Sequence, residues 1–445
     1  MPITAAMSKR RGDSQTKSLQ GGKIPPWRRF ICGLLAVASF WVTAAAYGDD
    51  AQKPGWLRVS GFGSLGAVYD RGPKYFQRDL TQPNTFEGDW SWKADSILGL
   101  QLDAALPYGV SATAQLAVKD RADNNIGESL DWAFLRYRPN QGWMLRAGRL
   151  GLDIYLLSDY RNVSFAYLWQ RPPSEFYGPL VVTDFDGSDI SYSRRMQGGT
   201  LRVKLFGGTS QPSVAYTLQD NLTLDFDPLW GANLAFESER WRAQAAFGRV
   251  RFKSEVAAAE ALLTALRNPA LASAWPQAAV LADQLSVKDR NLSFYSAGVA
   301  YDDGQWTIHS ELGYLRSEWA ALRSIVSAYI SCGRRFDNIT PYAMFAVARP
   351  TGNTVEVPAP PVSGDPAIDA AYSAARSYAN SFQVDQHTLS LGARWDLRQD
   401  LAVKVQWDHS WIKAKGGSLW FTKPGRGGGG EATANLFSIS VNFLF

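Results

Sequence analysis

The chain is poor in the residues that form cross-links and catalytic centres. Only two of its 445 residues are cysteine and three are histidine. The sequence contains no H-E-x-x-H, C-x-x-C or G-x-S-x-G pattern, the motifs typical of zinc hydrolases, dithiol sites and serine hydrolases. We therefore predict that the protein is not an enzyme, holds no metal and carries no cofactor.

The sequence also lacks an apolar run long enough for a membrane-spanning helix, which needs roughly 20 residues. Near the N-terminus, Arg28 and Arg29 precede an uncharged apolar run over residues 30–42, and Ala44–Ala46 follow it. This order of basic, apolar and small residues is typical of a cleavable export signal. We predict a signal peptide over residues 1–48, cleaved near Ala46 or Gly48; a short membrane anchor is the alternative.

Excess positive charge is missing from the rest of the chain. The predicted signal carries seven of the 46 basic residues and one of the 41 acidic residues, so residues 49–445 hold one more acid than base. A nearly neutral chain does not suit a nucleic-acid partner. Cys332 is the one cysteine outside the signal, so no intrachain disulfide is predicted.

What the sequence does contain is a regular alternation of apolar and polar residues. At the C-terminus, Phe437, Ile439, Val441, Phe443 and Phe445 alternate with serines and an asparagine. A period of two indicates a strand with one apolar face. A final strand with an aromatic last residue resembles the closing strand of Gram-negative outer-membrane barrels. That resemblance implies recognition of Phe445 by the barrel-assembly machinery.

The same alternation recurs along the whole chain after the signal. We place sixteen strands near residues 56–69, 95–106, 110–119, 129–138, 142–149, 188–195, 200–207, 229–237, 241–252, 292–301, 305–315, 323–333, 339–348, 386–397, 400–412 and 435–445. Long connections follow the odd strands and tight turns follow the even ones, and Trp and Tyr cluster at strand ends. These features predict one closed, antiparallel, up-and-down transmembrane barrel over residues 49–445, located in the outer membrane.

Three of the long connections have a character of their own. Residues 255–285 and 366–380 are rich in alanine and are predicted to be helical decoration on the outside of the barrel; a helical plug is the alternative. Residues 150–187 are too apolar and aromatic for a solvated loop, so we expect this third connection to pack against the interior wall of the barrel.

This third connection carries a family resemblance. Its segment Ser174-Glu175-Phe176-Tyr177-Gly178 resembles the Pro-Glu-Phe-Gly-Gly turn of the general bacterial porins, although Ser replaces Pro and Tyr precedes the glycine. The glycine-rich run 61–66 and Phe445 are similar to porins as well. The resemblance implies a third loop that folds into the lumen and faces a basic wall with acidic residues, and it implies a homotrimer.

The candidate site residues fall into two groups. The constriction loop contributes Asp153, Asp159, Arg161, Glu175, Asp184 and Asp186. The pore wall contributes Arg136, Arg138, Arg146, Arg202, Lys204 and Arg242. Opposed charges across a narrow pore would orient dipolar solutes and disfavour apolar ones. The alternative for each residue is an ordinary lumen charge in a local salt bridge.

The sequence thus predicts an outer-membrane porin for passive diffusion of small hydrophilic solutes and ions. Its further expected partners are outer-membrane lipid and lipopolysaccharide. A substrate-selective channel for anions or organic acids is the first alternative. An adhesive barrel and an enzymatic barrel are alternatives of a different class.

Overall fold

A computed structural model describes residues 55–82, 86, 89–123, 126–215, 220–352, 354–361, 364–423 and 430–445. Within these residues, sixteen long strands join in one antiparallel sheet. They are β1 (Leu57–Asp70), β2 (Ile97–Ala105), β3 (Val110–Lys119), β4 (Leu130–Tyr137), β5 (Trp143–Gly151), β6 (Asp184–Met196), β7 (Gly199–Ser210), β8 (Phe226–Glu237), β9 (Trp241–Phe252), β10 (Asn291–Asp302), β11 (Trp306–Ser317), β12 (Ser324–Arg334), β13 (Ile339–Thr351), β14 (Val384–Arg398), β15 (Leu401–Gly417) and β16 (Ala432–Leu444). The predicted signal peptide, residues 1–48, lies outside the described residues.

The sheet closes on itself because its first and last strands pair. β1 pairs with β2 on one edge and with β16 on the other, where the register runs from Phe62 opposite Leu444 to Asp70 opposite Leu436. Closure gives every strand two neighbours and leaves no open edge of unpaired backbone groups. The predicted closed barrel of sixteen antiparallel strands is therefore confirmed.

The connections alternate in length, as the sequence predicts. Tight turns follow the even strands, and Gly198 and Gly304 adopt φ of 85° in two of them, a conformation that glycine reaches without strain. Long connections follow the odd strands and lie at the opposite rim. Short strands within them also pair: Lys74–Phe76 with Trp420–Thr422, Ser213–Ala215 with Asn221–Thr223, and Trp90–Ser91 with β1.

The outer surface of the barrel is apolar. Leu205, Leu312 and Ile330 lie in mid-strand and are 55%, 57% and 55% exposed. At the tight-turn rim, Trp143 packs on Tyr192 with ring centroids 4.9 Å apart. Paired aromatic rings at the rims above and below an apolar band match the two interfaces of a bilayer.

A second group of aromatic residues lies toward the long-connection rim. Trp230, Phe247, Tyr295 and Tyr314 form a chain across β8 to β11, with successive ring centroids 5.2, 5.0 and 6.3 Å apart. No helix in the described residues is long and apolar enough to cross a membrane.

Short helices occur in the long connections. They are α1 (Ile126–Ser129), α2 (Ser174–Tyr177), α3 (Ala257–Leu266), α4 (Pro269–Ala274), α5 (Ala278–Leu285) and α6 (Pro366–Tyr378). Helix α6 begins at Pro366 because the Asp365 carboxylate accepts hydrogen bonds from the backbone N–H groups of Ala367 and Ile368. Helices α3 to α6 share a small apolar core around the fully buried Trp275. The helices predicted over 255–285 and 366–380 are present.

Candidate functional site

The connection between β5 and β6, residues 152–183, lies inside the barrel, and we call it the inward loop. Residues 152–158 and 175–182 of this loop are buried. Such an apolar and aromatic segment loses exposed apolar surface only by packing on another surface, and here that surface is the lumen face of the barrel wall.

The first part of the inward loop is fixed by Asp153. Its carboxylate pairs with Lys204 Nζ and lies 3.9 Å from the guanidinium of Arg202. Asn233 Nδ2 donates to the backbone carbonyl of Asp153 at 3.0 Å. Arg202, Lys204 and Asn233 face the lumen, so Asp153 connects the loop to β7 and β8.

The middle of the inward loop is fixed by Arg171, which is fully buried. Its guanidinium lies 2.7 Å from Asp95 and 2.7 Å from Asp408, and it donates to Ser438. The charge is thus paired on both sides, as a buried cation requires. Two carboxylates from distant parts of the chain converge on a single loop arginine.

A second cation holds the backbone of the same region. Lys404 on β15 donates to the carbonyl oxygens of Tyr167 and Trp169, each at 2.6 Å, and to that of Ser164. Arg394 on β14 donates to the carbonyl of Tyr167 at 3.1 Å. These donors satisfy carbonyl groups that the irregular loop cannot pair internally.

The last part of the inward loop is helix α2. Glu175 accepts hydrogen bonds from Gln386 Nε2 at 2.7 Å and from Thr388. Tyr177 and Tyr329 both donate to the carboxylate of Glu311 on β11, the latter at 2.7 Å. These bonds place the turn that resembles the porin motif against β11, β12 and β14.

Glycines on the wall allow the loop to approach closely. A Cβ atom at Gly333 on β12 would overlap the side chain of Leu168, and one at Gly298 on β10 would lie 2.9 Å from Leu156 Cδ1. Because real Cβ atoms avoid such contacts, a larger residue at either position would push the loop away from the wall. These glycines have no period or motif that identifies them in the sequence.

The wall formed by β3 and β4 faces residues 158–163 of the inward loop. A recess lies between this wall and loop residues 158–163, lined by Gln115, Asp131, Trp132, Asp159, Tyr160, Arg161 and Asn162 among others. Asn162 Nδ2 donates to Asp131 at 2.5 Å, and Lys119 Nζ donates to Asn162 Oδ1 at 3.3 Å. The recess between the loop and this wall is therefore lined mainly by polar side chains.

No family model matches the chain, and no curated protein matches its sequence. Solved structures do match. The outer-membrane channel DcaP of Acinetobacter baumannii is 12% identical with a TM-score of 0.51, and OmpF of Salmonella typhi in complex with daunomycin is 11% identical with a TM-score of 0.50. Each alignment covers 87% of this chain and 97% of the other chain.

The chain has the fold of the 16-stranded outer-membrane porins. Within this porin fold the inward loop occupies the place that the resemblance in the sequence implies, after the fifth strand. Among the described residues, no group of three His, Cys, Asp or Glu side chains is placed to hold a metal ion.

The predicted wall cations of the porin fold differ in their partners. Arg146 forms a two-point ion pair with Asp189, at 2.5 and 2.9 Å, and Lys204 is buried against Asp153. Arg242 donates to the hydroxyl of Tyr160 at 3.4 Å and forms no ion pair within the described part of the chain. Arg136 forms no ion pair among the described residues and lies over the ring of Phe134 with its carbon Cζ 5.5 Å from the centroid.

The other two predicted wall cations, Arg202 and Arg138, lie at different places on the wall. Arg202 faces the lumen, is half-buried and has the distant contact with Asp153 as its one ion pair in the described part of the chain. Arg138 lies just beyond β4, in the tight turn, and is exposed. The wall therefore contains cations of two kinds: those neutralised by a carboxylate and those that keep their charge toward the lumen.

The predicted charged residues of the loop also differ in their contacts. Asp159 is exposed at the recess, whereas Arg161 pairs with Asp79 of the first long connection at 3.6 Å. Burial alone would raise the pKa of the Asp79 carboxyl, but the charges of Lys119 and Arg161 lower it to about 2. Arg161 is therefore bound to a permanently charged partner.

Of the remaining predicted loop carboxylates, Asp184 lines the recess, whereas Glu175 and Asp186 do not. Glu175 is buried with neutral partners between the loop and the wall. Asp184 is the first residue of β6 and accepts from Thr183 Oγ1 at 2.8 Å. Asp186 lies on the outer face of the barrel, where it pairs with Arg149 at 3.0 Å. The expectation that these residues line the constriction is wrong for Asp186, because it shares its face with Ile190.

Sequence reasoning missed the residues that hold the loop: Arg171, Lys404, Arg394, Asp95, Asp408 and Glu311. A signal existed for part of this set. Lys404 and Asp408 alternate with apolar residues on β15, so both belong to the lumen face. The pattern does not reveal that both residues bond to the inward loop, at Trp169 and Arg171, which lie more than 200 residues earlier in the chain.

Proposed function

We propose that this protein is a channel of the outer membrane through which small hydrophilic solutes diffuse passively, with anions favoured. The observation that carries the proposal is a set of lumen arginines: among the described residues, Arg136 and Arg242 form no ion pair, and Arg202 has only the 3.9 Å contact with Asp153. They lie on the wall beside a loop that narrows the lumen.

The outer surface supports a membrane location. Large apolar side chains are exposed in mid-strand around the barrel and aromatic pairs border them at both rims. In water such a surface would drive association, whereas in a bilayer it contacts lipid. Together with the predicted export signal, this surface favours the outer membrane.

The lumen charges support a preference for anions. Arg146 contributes little net field because Asp189 binds it at two points. Among the described residues, Arg136, Arg138 and Arg242 form no ion pair and Arg202 has only the distant one with Asp153, whereas the carboxylates beside these four arginines are Asp103, Asp159 and Glu237. A passage with more unpaired cations than anions concentrates anions by the Coulomb field in a confined space.

The test of this proposal is the reversal potential of single channels in a planar lipid bilayer under a salt gradient. The wild type should show a sign that corresponds to anion preference. The variants Arg136→Glu and Arg242→Glu should each move the potential toward cation preference. An unchanged potential in both variants would refute the assignment of selectivity to these residues.

The matched control is Arg334→Glu, which makes the same charge reversal at an exposed residue at the end of β12. Arg334 packs over Trp306 and Phe336, on the outer side of the tight-turn rim. Its reversal should leave the potential close to the wild-type value. An equal shift in this control would assign the effect to overall charge instead of the lumen.

A substrate-selective channel for organic anions is the second candidate. The observation that favours it is the extent of the inward loop, which bonds to lumen residues from β7 through β16. Liposome swelling separates the two functions. Uptake that falls smoothly with solute size supports general diffusion, whereas rapid uptake of carboxylates over sugars of equal size supports selectivity.

An enzymatic barrel finds little support in the histidines. His309 faces the lumen opposite Ser331, but Ser331 accepts a hydrogen bond from Trp169, and His309 Nδ1 has no partner among the described residues. His387 and His409 lie on the outer face among aromatic rings. The adhesive barrel stays an alternative from the sequence, and the homotrimer and recognition of Phe445 by the assembly machinery stay what the family resemblance implies.

A further inference from the structure

A lysine, an asparagine and an aspartate are in contact at the edge of the recess. Lys119 is the last residue of β3, Asp131 lies on β4, and Asn162 lies in the inward loop. Lys119 Nζ donates to Asn162 Oδ1 at 3.3 Å, and Asn162 Nδ2 donates to Asp131 Oδ2 at 2.5 Å. A primary amine, a carboxamide and a carboxylate from three separate parts of the chain thus form one connected group.

The amine of Lys119 has no ion partner. Among the described residues, no carboxylate lies within 4.0 Å of its Nζ, and its hydrogen bond is the one to Asn162. The nearby carboxylate of Asp79 pairs with Arg161 instead. A lysine amine is a nucleophile when it is neutral, so the lack of a carboxylate to hold its proton favours the reactive form.

The carboxamide and the carboxylate are held in place from the other side. Arg121 Nη2 donates to Asp131 Oδ1 at 2.5 Å, which leaves Oδ2 of Asp131 on the amide nitrogen of Asn162. Arg121 and Asp131 are buried, and the next loop residue, Val163, packs on an apolar cluster of Phe62, Ile97 and Ala117. Groups fixed at such distances react with one another far faster than the same groups free in solution.

We propose that Lys119 and Asn162 form an isopeptide bond, with Asp131 as the group that transfers the proton. The neutral amine attacks Asn162 Cγ, and a new bond forms between Cγ and Lys119 Nζ. Asp131 takes a proton from Nζ and gives it to Nδ2, the bond between Cγ and Nδ2 breaks, and ammonia leaves. One amine and one carboxamide yield one secondary amide and one ammonia, so the reaction needs no oxidant and no cofactor.

The bond fastens the inward loop to β3 beside the recess. It closes the chain segment 119–162, and a covalent link of this kind stabilises a fold mainly by restricting the unfolded chain. The ion pairs that hold the rest of the loop are reversible, whereas this attachment is permanent. The new amide also removes the charge of Lys119, and Asp79 keeps Arg161 as its ion partner.

The test is a tryptic digest of the mature protein purified from membranes, read by mass spectrometry. Trypsin does not cleave after a lysine whose amine is acylated, so the bond should give one two-chain peptide, residues 94–121 joined to 162–194. Its mass should equal that of the two chains less one ammonia, and fragmentation should place the link at Lys119 and Asn162. Complete cleavage after Lys119, with the two peptides separate, would overturn the inference.

Three variants test the role of each group. Lys119→Arg keeps the positive charge without the amine, and Asn162→Ala removes the carboxamide, so both should abolish the two-chain peptide. Asp131→Asn leaves both reacting groups in place and should slow the formation of the link about a hundredfold, timed after refolding of the mature chain. Formation at the wild-type rate in Asp131→Asn would refute the proton transfer by Asp131, and circular dichroism shows whether each barrel folds.

Lys204 is a matched control within the same protein. It contacts the carboxylate of Asp153 in the inward loop, but Arg202 also lies 3.9 Å from that carboxylate, and an ionised carboxylate does not acylate an amine. Trypsin should therefore cleave after Lys204 normally. A two-chain peptide at Lys204 would show that contact alone is sufficient and would refute the role given to Asp131. The digest does not measure conduction, so its result is independent of the proposed channel.

Discussion

The inward loop and the helical connections are both apolar segments at the same rim of the barrel, yet they bury their apolar residues against different surfaces. Helices α3 to α6 bury their apolar residues against one another, around Trp275. The inward loop has no such internal core and buries its residues against the wall. The difference shows that a segment with helical periodicity can pack by itself, whereas an irregular one depends on partners elsewhere.

The polar contacts follow the same division. Wall residues on eleven strands bond to the inward loop and satisfy its backbone and its charges. The helices satisfy their own backbone and need few side chains from the wall. Mutations should therefore change conduction when they touch the inward loop and leave it unchanged when they touch the helical core.

The largest effect is expected from Arg171→Met. The change leaves Asp95 and Asp408 buried without a cation, which typically costs about 3–5 kcal/mol. The loop should detach locally, and the single-channel conductance should rise and become noisy. Protease digestion should cut the loop in the variant and spare it in the wild type.

The control for that experiment is Arg251→Met, which removes an exposed arginine of the outer surface. It should leave both the conductance and the protease pattern unchanged. A quiet channel of wild-type conductance in Arg171→Met would show that the buried ion pairs do not hold the loop.

A smaller effect on conduction is expected from Gly333→Val. The new side chain overlaps Leu168 and must displace the loop from β12, at a cost of about 1–3 kcal/mol. The thermal unfolding temperature of the barrel should fall, and the conductance should change by less than in Arg171→Met. Gly352→Val is the control, since nothing lies within 4 Å of a Cβ atom there, although its positive φ adds strain of its own.

A still smaller effect is expected from Asp79→Asn, which frees the charge of Arg161 at the recess. The pKa of Asp79 is lowered from 3.8 to about 2, so its contribution to stability is complete above pH 4 and is lost as the pH falls toward 2. The wild type should thus show flat selectivity from pH 4 to 8 as far as this pair is concerned. The variant should be slightly more anion-selective at every pH, and a lower anion preference would contradict this role.

No effect on conduction is expected from Trp275→Ala. Removing this buried ring should destabilise the helical core by about 3–5 kcal/mol and expose α3 and α5 to proteases. The barrel strands and the inward loop do not share that core. A changed single-channel conductance in this variant would show that the helices and the inward loop are coupled.

The sequence predicts the strands well because the fold repeats one simple rule. Each strand must place apolar residues toward lipid at every second position, and β16 shows this rule from Phe437 to Phe445. The composition of residues 150–187 likewise predicts that they are buried. Both features are local, so they are visible without knowledge of the fold.

The site was less predictable because its contacts are not local. Asp186 is an aspartate like Asp153, but the alternation of faces along β6 places its side chain on the outer face of the barrel. Glu175 lies in the expected turn, yet its carboxylate accepts hydrogen bonds from Gln386 and Thr388 where an arginine was expected. Arg171 stands in a run without periodicity, so only the register of β15 and the position of Asp95 reveal its role.

We propose that the inward loop narrows a pore and leaves it open. The most direct test is the single-channel conductance of the purified mature protein in a planar lipid bilayer. We expect stepwise, ohmic openings in the wild type and larger ones in Arg171→Met. Correctly folded wild type without openings, together with a conducting Arg171→Met variant, would show that the loop closes the barrel and that the wild type is not an open channel.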